Sequence, residues 1–220
     1  MNRIIQFGEK VEGYDIPVLN EREIRAAAGI LFLILFYSAL NALYFNDFVL
    51  VKYTVTFFLI DLIIRVFVNP KYAPTLIIGR FFVKDQTPEF VGAKQKKFAW
   101  VIGIVLSLIM FIFFVIVNVD SLITSIVCIS CLIFLFFESV FGICLGCKLY
   151  PLIYKDKVQY CPGEVCDLKS KHEIQKISLA QLFVVLGFAA LILTTVYMFN
   201  DVYHKIPYDL SNGGRYYEAE

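Results

Sequence analysis

Five stretches of the chain are apolar on every side, without the alternation that an amphipathic surface helix or a half-buried strand would show. Residues 26–45, 98–117 and 177–199 are uncharged throughout. Residues 49–68 carry Asp61 and Arg65 in their second half, and residues 121–143 are interrupted by Glu138. A helix needs about 20 apolar residues to cross a hydrocarbon core of about 30 Å, so each stretch predicts a transmembrane span. The connections at 46–48 and 118–120 are very short, which predicts antiparallel hairpins for spans one and two and for spans three and four. Residues 73–83 are apolar but too short to span, and they contain Arg80. They predict a short interfacial or re-entrant helix between spans two and three.

The expected fold is thus an all-α membrane protein, a bundle of about five transmembrane helices. Residues 1–25 form an N-terminal arm, 26–199 the transmembrane domain and 200–220 a polar tail. The first span follows polar residues that include acidic groups, and Tyr44-Phe45-Asn46 does not resemble a small-residue cleavage site, so it is not expected to be removed as a signal.

Composition narrows the class further. Hydrophobic residues make up 59% of the 220, against about 45–50% in soluble domains. Charged residues are 18%, against about 25%. A soluble enzyme, a disordered chain and a disulfide-stapled secreted domain are excluded. The net charge of +1 gives no footing for nucleic acid, and the expected partner is the lipid bilayer. Basic residues orient the bundle. Arg3, Lys10, Arg22 and Arg25 precede span one; Lys71, Arg80, Lys84, Lys94, Lys96 and Lys97 lie between spans two and three; Lys148, Lys155, Lys157, Lys169, Lys171 and Lys176 lie between spans four and five. Positively charged loops stay in the cytoplasm, so the N-terminus is expected inside and the C-terminus outside.

Six cysteines fall into three close pairs, Cys128/Cys131, Cys144/Cys147 and Cys161/Cys166. The last four are expected on the cytoplasmic side, where thiols are kept reduced and a close pair points to redox chemistry or metal rather than a structural bridge. Cys144-Leu145-Gly146-Cys147 has the two-residue spacing that brings sulfurs within disulfide reach on one helical turn. If span four runs unbroken through the motif, the cysteines sit at a negative helix end, which disfavours the thiolate. If Gly142 and Gly146 break the helix and a short one restarts, the sign reverses. Lys148 favours the thiolate either way. The bland alternative is a pair of small buried residues at a helix end.

Pro162-Gly163 demands a tight turn that folds Cys161 and Cys166 toward each other. With Cys144 and Cys147 they would make a four-thiolate site that zinc would close tetrahedrally, or a resolving dithiol. No cofactor is required by the sequence. Cys128 and Cys131 share a stripe with Thr124, Leu135, Glu138 and Gly142, and small and polar residues on one stripe mark a helix–helix seam. On an unbroken helix Cys144 and Cys147 would point away from Glu138.

Asp61 and Arg65 are four apart and meet on one helix face. Glu138 has no partner on its own helix. Arg65 is the expected cation for it, since both lie in the same halves of their spans.

Several of these residues occur together in a recognisable order. An Asn20-Glu21-Arg22-Glu23 entry leads into an Ala/Gly-rich first span. Asp61 and Arg65 are followed by Asn69-Pro70-Lys71-Tyr72-Ala73-Pro74, Lys96-Lys97-Phe98-Ala99-Trp100 opens span three, and Glu138 precedes Phe141-Gly142-Ile143-Cys144-Leu145-Gly146-Cys147-Lys148. In this order the chain, over roughly residues 18–150, resembles a bacterial integral-membrane family of unknown function, domain-of-unknown-function family 4395. The resemblance implies a bacterial inner-membrane location and puts Asp61, Arg65, Glu138, Cys144 and Cys147 at motif positions. It implies no reaction.

Three functional readings follow. The leading one is a thiol–disulfide or sulfur-relay protein in which Cys144 and Cys147 react, Asp61, Arg65, Glu138 and Lys148 tune the site, and a thioredoxin-like or sulfurtransferase protein is the partner. The second is a transporter or metal-handling protein with thiolates as soft ligands; five spans are few for that role, so it implies a homodimer. The third is a structural bundle with incidental cysteines.

Overall fold

The computed structural model describes residues 7–154, 177–205 and 208–209. A strand β1 (Val18–Asn20) leads into α1 (Glu21–Phe45), and α2 (Val49–Ile63) runs on through a wide turn at Ile64–Val68. After a single tight turn at Pro70–Tyr72 come α3 (Pro74–Val83), β2 (Phe90–Gly92) and α4 (Ala93–Phe111), itself extended by a wide turn at Ile112–Val117. Then follow β3 (Val119–Asp120), α5 (Leu122–Phe141), α6 (Leu145–Tyr154), α7 (Leu179–Tyr203) and β4 (Tyr208–Asp209).

Among the described residues, four helices are long and apolar enough to cross a membrane: α1, α4 with its extension, α5 and α7. The segment Val49–Ile63 with Ile64–Val68 has the expected span length but is not a uniform α-helix, because its last turns widen around Arg65. The chain is an all-α membrane protein.

Polarity is arranged inside out, which is the physical mark of that class. Leu43, Phe45, Leu193 and Tyr197 are exposed, while Glu21, Lys52, Asp61 and Lys96 are at most 1% exposed. In water this would be unstable. In lipid the apolar side chains meet hydrocarbon, and the charged ones find partners inside the bundle. The hairpins form as expected. Asn46 and Asn118 end their helices with φ of 51° and 56°, a left-handed conformation that Asn tolerates better than most residues.

The helices begin earlier than apolarity alone predicts. α1 starts at Glu21 rather than residue 26, because the Asn20 side chain caps it by accepting from Arg22 N at 3.2 Å. α4 starts at Ala93 rather than residue 98. Each therefore carries charged residues into the packed bundle. The arm is tied down where it is described: β1 pairs antiparallel with β2, and Arg22 bonds Glu89 at 2.7 Å.

The short helix α3 packs mainly on α1. Arg80 grips Glu23 through two nitrogens, Nε to Oε1 and Nη2 to Oε2, each at 3.0 Å and buried. This two-pronged geometry is the strongest form of the pair, and it explains why an eleven-residue apolar stretch holds an arginine. At the opposite end of the bundle, Lys52 donates to Asn118 Oδ1 at 2.7 Å and to the Lys205 carbonyl. A cation there meets the negative ends of two helices. α7 stands at the edge, the apolar part of its span unburied, and is pinned by Gln181 Nε2 to the Lys71 carbonyl at 2.7 Å and by Thr56 to Tyr203 at 2.9 Å.

Candidate functional site

The candidate site lies at the basic-rich end, where α5 stops and α6 restarts. Gly142 adopts φ 65°, and the backbone N–H groups of Gly142 and Ile143 both return to the Phe137 carbonyl. That left-handed turn favours glycine, since other L-residues lose stability there. The Arg25 guanidinium covers it, so close that a methyl on Gly142 would lie 3.0 Å from Cζ. Cation and turn together close the negative end of α5.

The break decides the electrostatics of the cysteine motif. Lys148 N donates to the Cys144 carbonyl at 3.1 Å, which makes Cys144 the N-terminal cap of α6. Its sulfur accepts the backbone N–H of Cys147 at 3.2 Å. A free N–H and the positive end of a helix both stabilise a thiolate. Both thiols are free.

Gly146 fixes where that dithiol points. A Cβ there would lie 2.6 Å from Ala99 Cβ and 2.8 Å from Ala99 Cα, so α6 lies directly on α4 only because the position is glycine. Cys144 is thereby turned inward and faces a cavity of about 60 Å³ that Arg65, Trp100, Cys131, Glu138 and Gly146 also line. That is room for a few water molecules. Cys144 and Cys147 are each 5% exposed, less accessible than a motif at a helix mouth suggests. Lys148 is exposed and is not part of the cavity wall.

Two ionic clusters border this cavity. In the first, Arg65 Nε donates to Asp61 Oδ2 at 2.7 Å, as the spacing predicts. Thr75 joins them: its N–H donates to Asp61 Oδ1 at 3.0 Å and its hydroxyl to Oδ2 at 2.7 Å. Asp61 therefore binds the first turn of α3 as well as Arg65. The guanidinium lies 5.1 Å from the centre of the Trp100 ring, a cation–π distance.

In the second cluster the expected partner is corrected. Glu138 pairs with Lys96, Nζ to Oε1 at 2.6 Å, not with Arg65. The reason is competition: Asp61 and Thr75 already hold Arg65, and Lys96 enters the bundle on the first turn of α4. Lys96 is wholly buried, and its Nζ also stands 2.7 Å from Glu21 Oε2. That second approach is an ion-pair distance without hydrogen-bond alignment, and Glu21 Oε1 has no hydrogen-bond partner among the described residues.

Lys96 and Glu21 are the residues that sequence reasoning missed. Both fell in segments read as polar flanks of spans. The available signal was the Asn20 cap, which would have drawn Glu21 into α1.

The remaining sequence candidates lie elsewhere. Cys131 is buried and Cys128 half-buried on α5, with Thr124 and Leu135 buried on the same stripe. α5 packs extensively on α1, which fits the seam reading. Cys161 and Cys166 lie outside the described residues. Among the described residues no cluster of three or more His, Cys, Asp or Glu forms that could hold a metal ion.

Residues 19–155, well over half of the chain, match the protein family described as a domain of unknown function, DUF4395. The chain belongs to that family. The matched region covers α1 to α6 and hence every residue of both ionic clusters and the Cys144/Cys147 pair, whereas α7 lies beyond it. No curated protein and no solved structure matches the chain.

Proposed function

We propose that this is a membrane thiol–disulfide protein in which Cys144 and Cys147 alternate between dithiol and disulfide. The observation that carries the reading is the restart of α6: it sets the Cys144 sulfur at a helix N-terminus, on the Cys147 N–H, with the second thiol beside it. The cavity beside Cys144 has room for water at the sulfur, and a thioredoxin-like or sulfurtransferase partner would dock at the α5–α6 turn beside it. A persulfide carried on Cys144 is the sulfur-relay form of the same chemistry.

A full-length variant with Ser at 128, 131, 161 and 166 tests this. After reduction it should take up two groups from a small neutral maleimide, and after mild oxidation none. A redox-buffer titration should show one two-electron transition. An added sulfur mass on Cys144 would assign the relay form. If both thiols stay alkylatable across the whole range of potentials and carry no added sulfur, the assignment fails.

The same reading places the site in the cytoplasm of a bacterial cell, with the protein in the inner membrane and its C-terminus outside. The support is the basic bias of the segments at this end. A membrane-impermeant thiol reagent added to intact cells should label Ser211→Cys and not Ser170→Cys. The reverse pattern would put the dithiol on the outer face and remove the reducing surroundings the proposal assumes.

A further inference from the structure

The Glu21–Lys96–Glu138 cluster has one carboxylate too many for a purely structural role. A lone ammonium needs one carboxylate for neutrality, and a second buried one adds desolvation without an equal return. Lys96 is aligned with Glu138 and only near Glu21, whose Oε1 is unpartnered. A buried group of this composition has a place for a proton. It is also sited where one is needed. Glu138 is 15% exposed, and it lines the cavity that Cys144 lines.

We propose that Glu138, held by Lys96 and backed by Glu21, is the proton acceptor for the Cys144 thiol. The proposal rests on the dithiol reading above. The proton on Cys144 passes to the Glu138 carboxylate, directly or through one water. The thiolate attacks one sulfur of a protein disulfide of the thioredoxin-like class. The partner's S–S bond breaks, a mixed disulfide forms, and the released partner thiolate takes the Cys147 proton. Cys147 then attacks the Cys144 sulfur, the mixed disulfide breaks, and the second partner thiolate takes the proton from Glu138. Two electrons and two protons leave the pair and reduce one disulfide to two thiols.

The charged and titratable groups around Glu138 set how it holds its proton. Glu21 and Arg25 come from α1, Lys96 from α4, Arg65 with Asp61 from α2, Cys131 from its own helix, and Cys144 from the turn into α6. Arg25 sits half-exposed at the Gly142 turn and also faces Glu89 at 3.9 Å, so it does not neutralise Glu21 by itself. Lys96 therefore answers to two carboxylates, of which Glu138 is the one that lines the cavity.

The test uses the full-length protein with only Cys144 and Cys147, and hydroxyethyl disulfide as an uncharged oxidant. The rate of disulfide exchange is followed against pH. The parent should show a limb that rises as Glu138 ionises. Glu138→Gln should lose that limb and fall about 100-fold at neutral pH, the low end of general-base effects. Glu138→Asp should recover part of the rate. Glu21→Gln leaves Lys96 wholly to Glu138 and should move the limb; it also keeps the test decisive if Glu138→Gln does not fold. An unchanged profile in Glu138→Gln, or an unmoved limb in Glu21→Gln, in proteins whose Cys144/Cys147 couple still titrates, would overturn the proton role and leave the dithiol reading standing. A parent with no couple at all would overturn both.

Discussion

Lys96→Met should destabilise the bundle by about 3–5 kcal/mol, the cost of removing one partner from a buried ionic group. The ammonium is the only cation within ion-pair distance of Glu21 and Glu138 among the described residues. Without it two carboxylates are left facing each other between α1, α4 and α5. Combining Lys96→Met with Glu21→Gln and Glu138→Gln removes the stranded charges and should recover much of the loss. Thermal melting in detergent, followed by helical circular dichroism, measures both. A single variant that melts with the parent would mean that the cluster does not hold the helices together.

The second large effect is expected at Asp61. Asp61→Ala strands the Arg65 guanidinium and also strips the first turn of α3 of its acceptor, because Asp61 receives both the N–H and the hydroxyl of Thr75. The expected loss is again about 3–5 kcal/mol. Asp61→Ala with Arg65→Ala removes the stranded cation but not the uncapped turn, so it should melt between Asp61→Ala and the parent. Arg65→Ala alone should be milder than Asp61→Ala, since Asp61 keeps both bonds to Thr75. If the double variant were no better than Asp61→Ala, the two charges would not be coupled. If Arg65→Ala were the worse single change, the anchoring of α3 would not pass through Asp61.

These two clusters differ in how far they could be foreseen. The Asp61–Arg65 pair is local: four residues apart on one helix, the side chains meet whatever the rest of the chain does. Thr75 is fourteen residues from Asp61, across the wide turn and Pro70, and nothing in a periodicity predicts that meeting. The Glu138–Lys96 pair joins residues forty-two apart. Arg65 looked the better partner only because depth along a span was visible and prior commitments were not. Gly142 lay between these cases. Its capacity to break a helix was legible, but whether it did so depended on α6 finding a surface to lie on, and Ala99 supplied it.

The sequence by itself determined the class of this protein, its long apolar helices, its hairpins and the short helix α3. Those follow from hydrocarbon thickness, backbone hydrogen bonding and side-chain polarity, which act over a few residues and need no partner. It also determined that two cysteines could reach each other within one turn. The tertiary structure alone decided which helix end those cysteines occupy, that they face inward, and that Lys96 rather than Arg65 holds Glu138. Each is set by which surfaces pack together, and the pairing of buried charges is a competition among all cations that packing brings within reach.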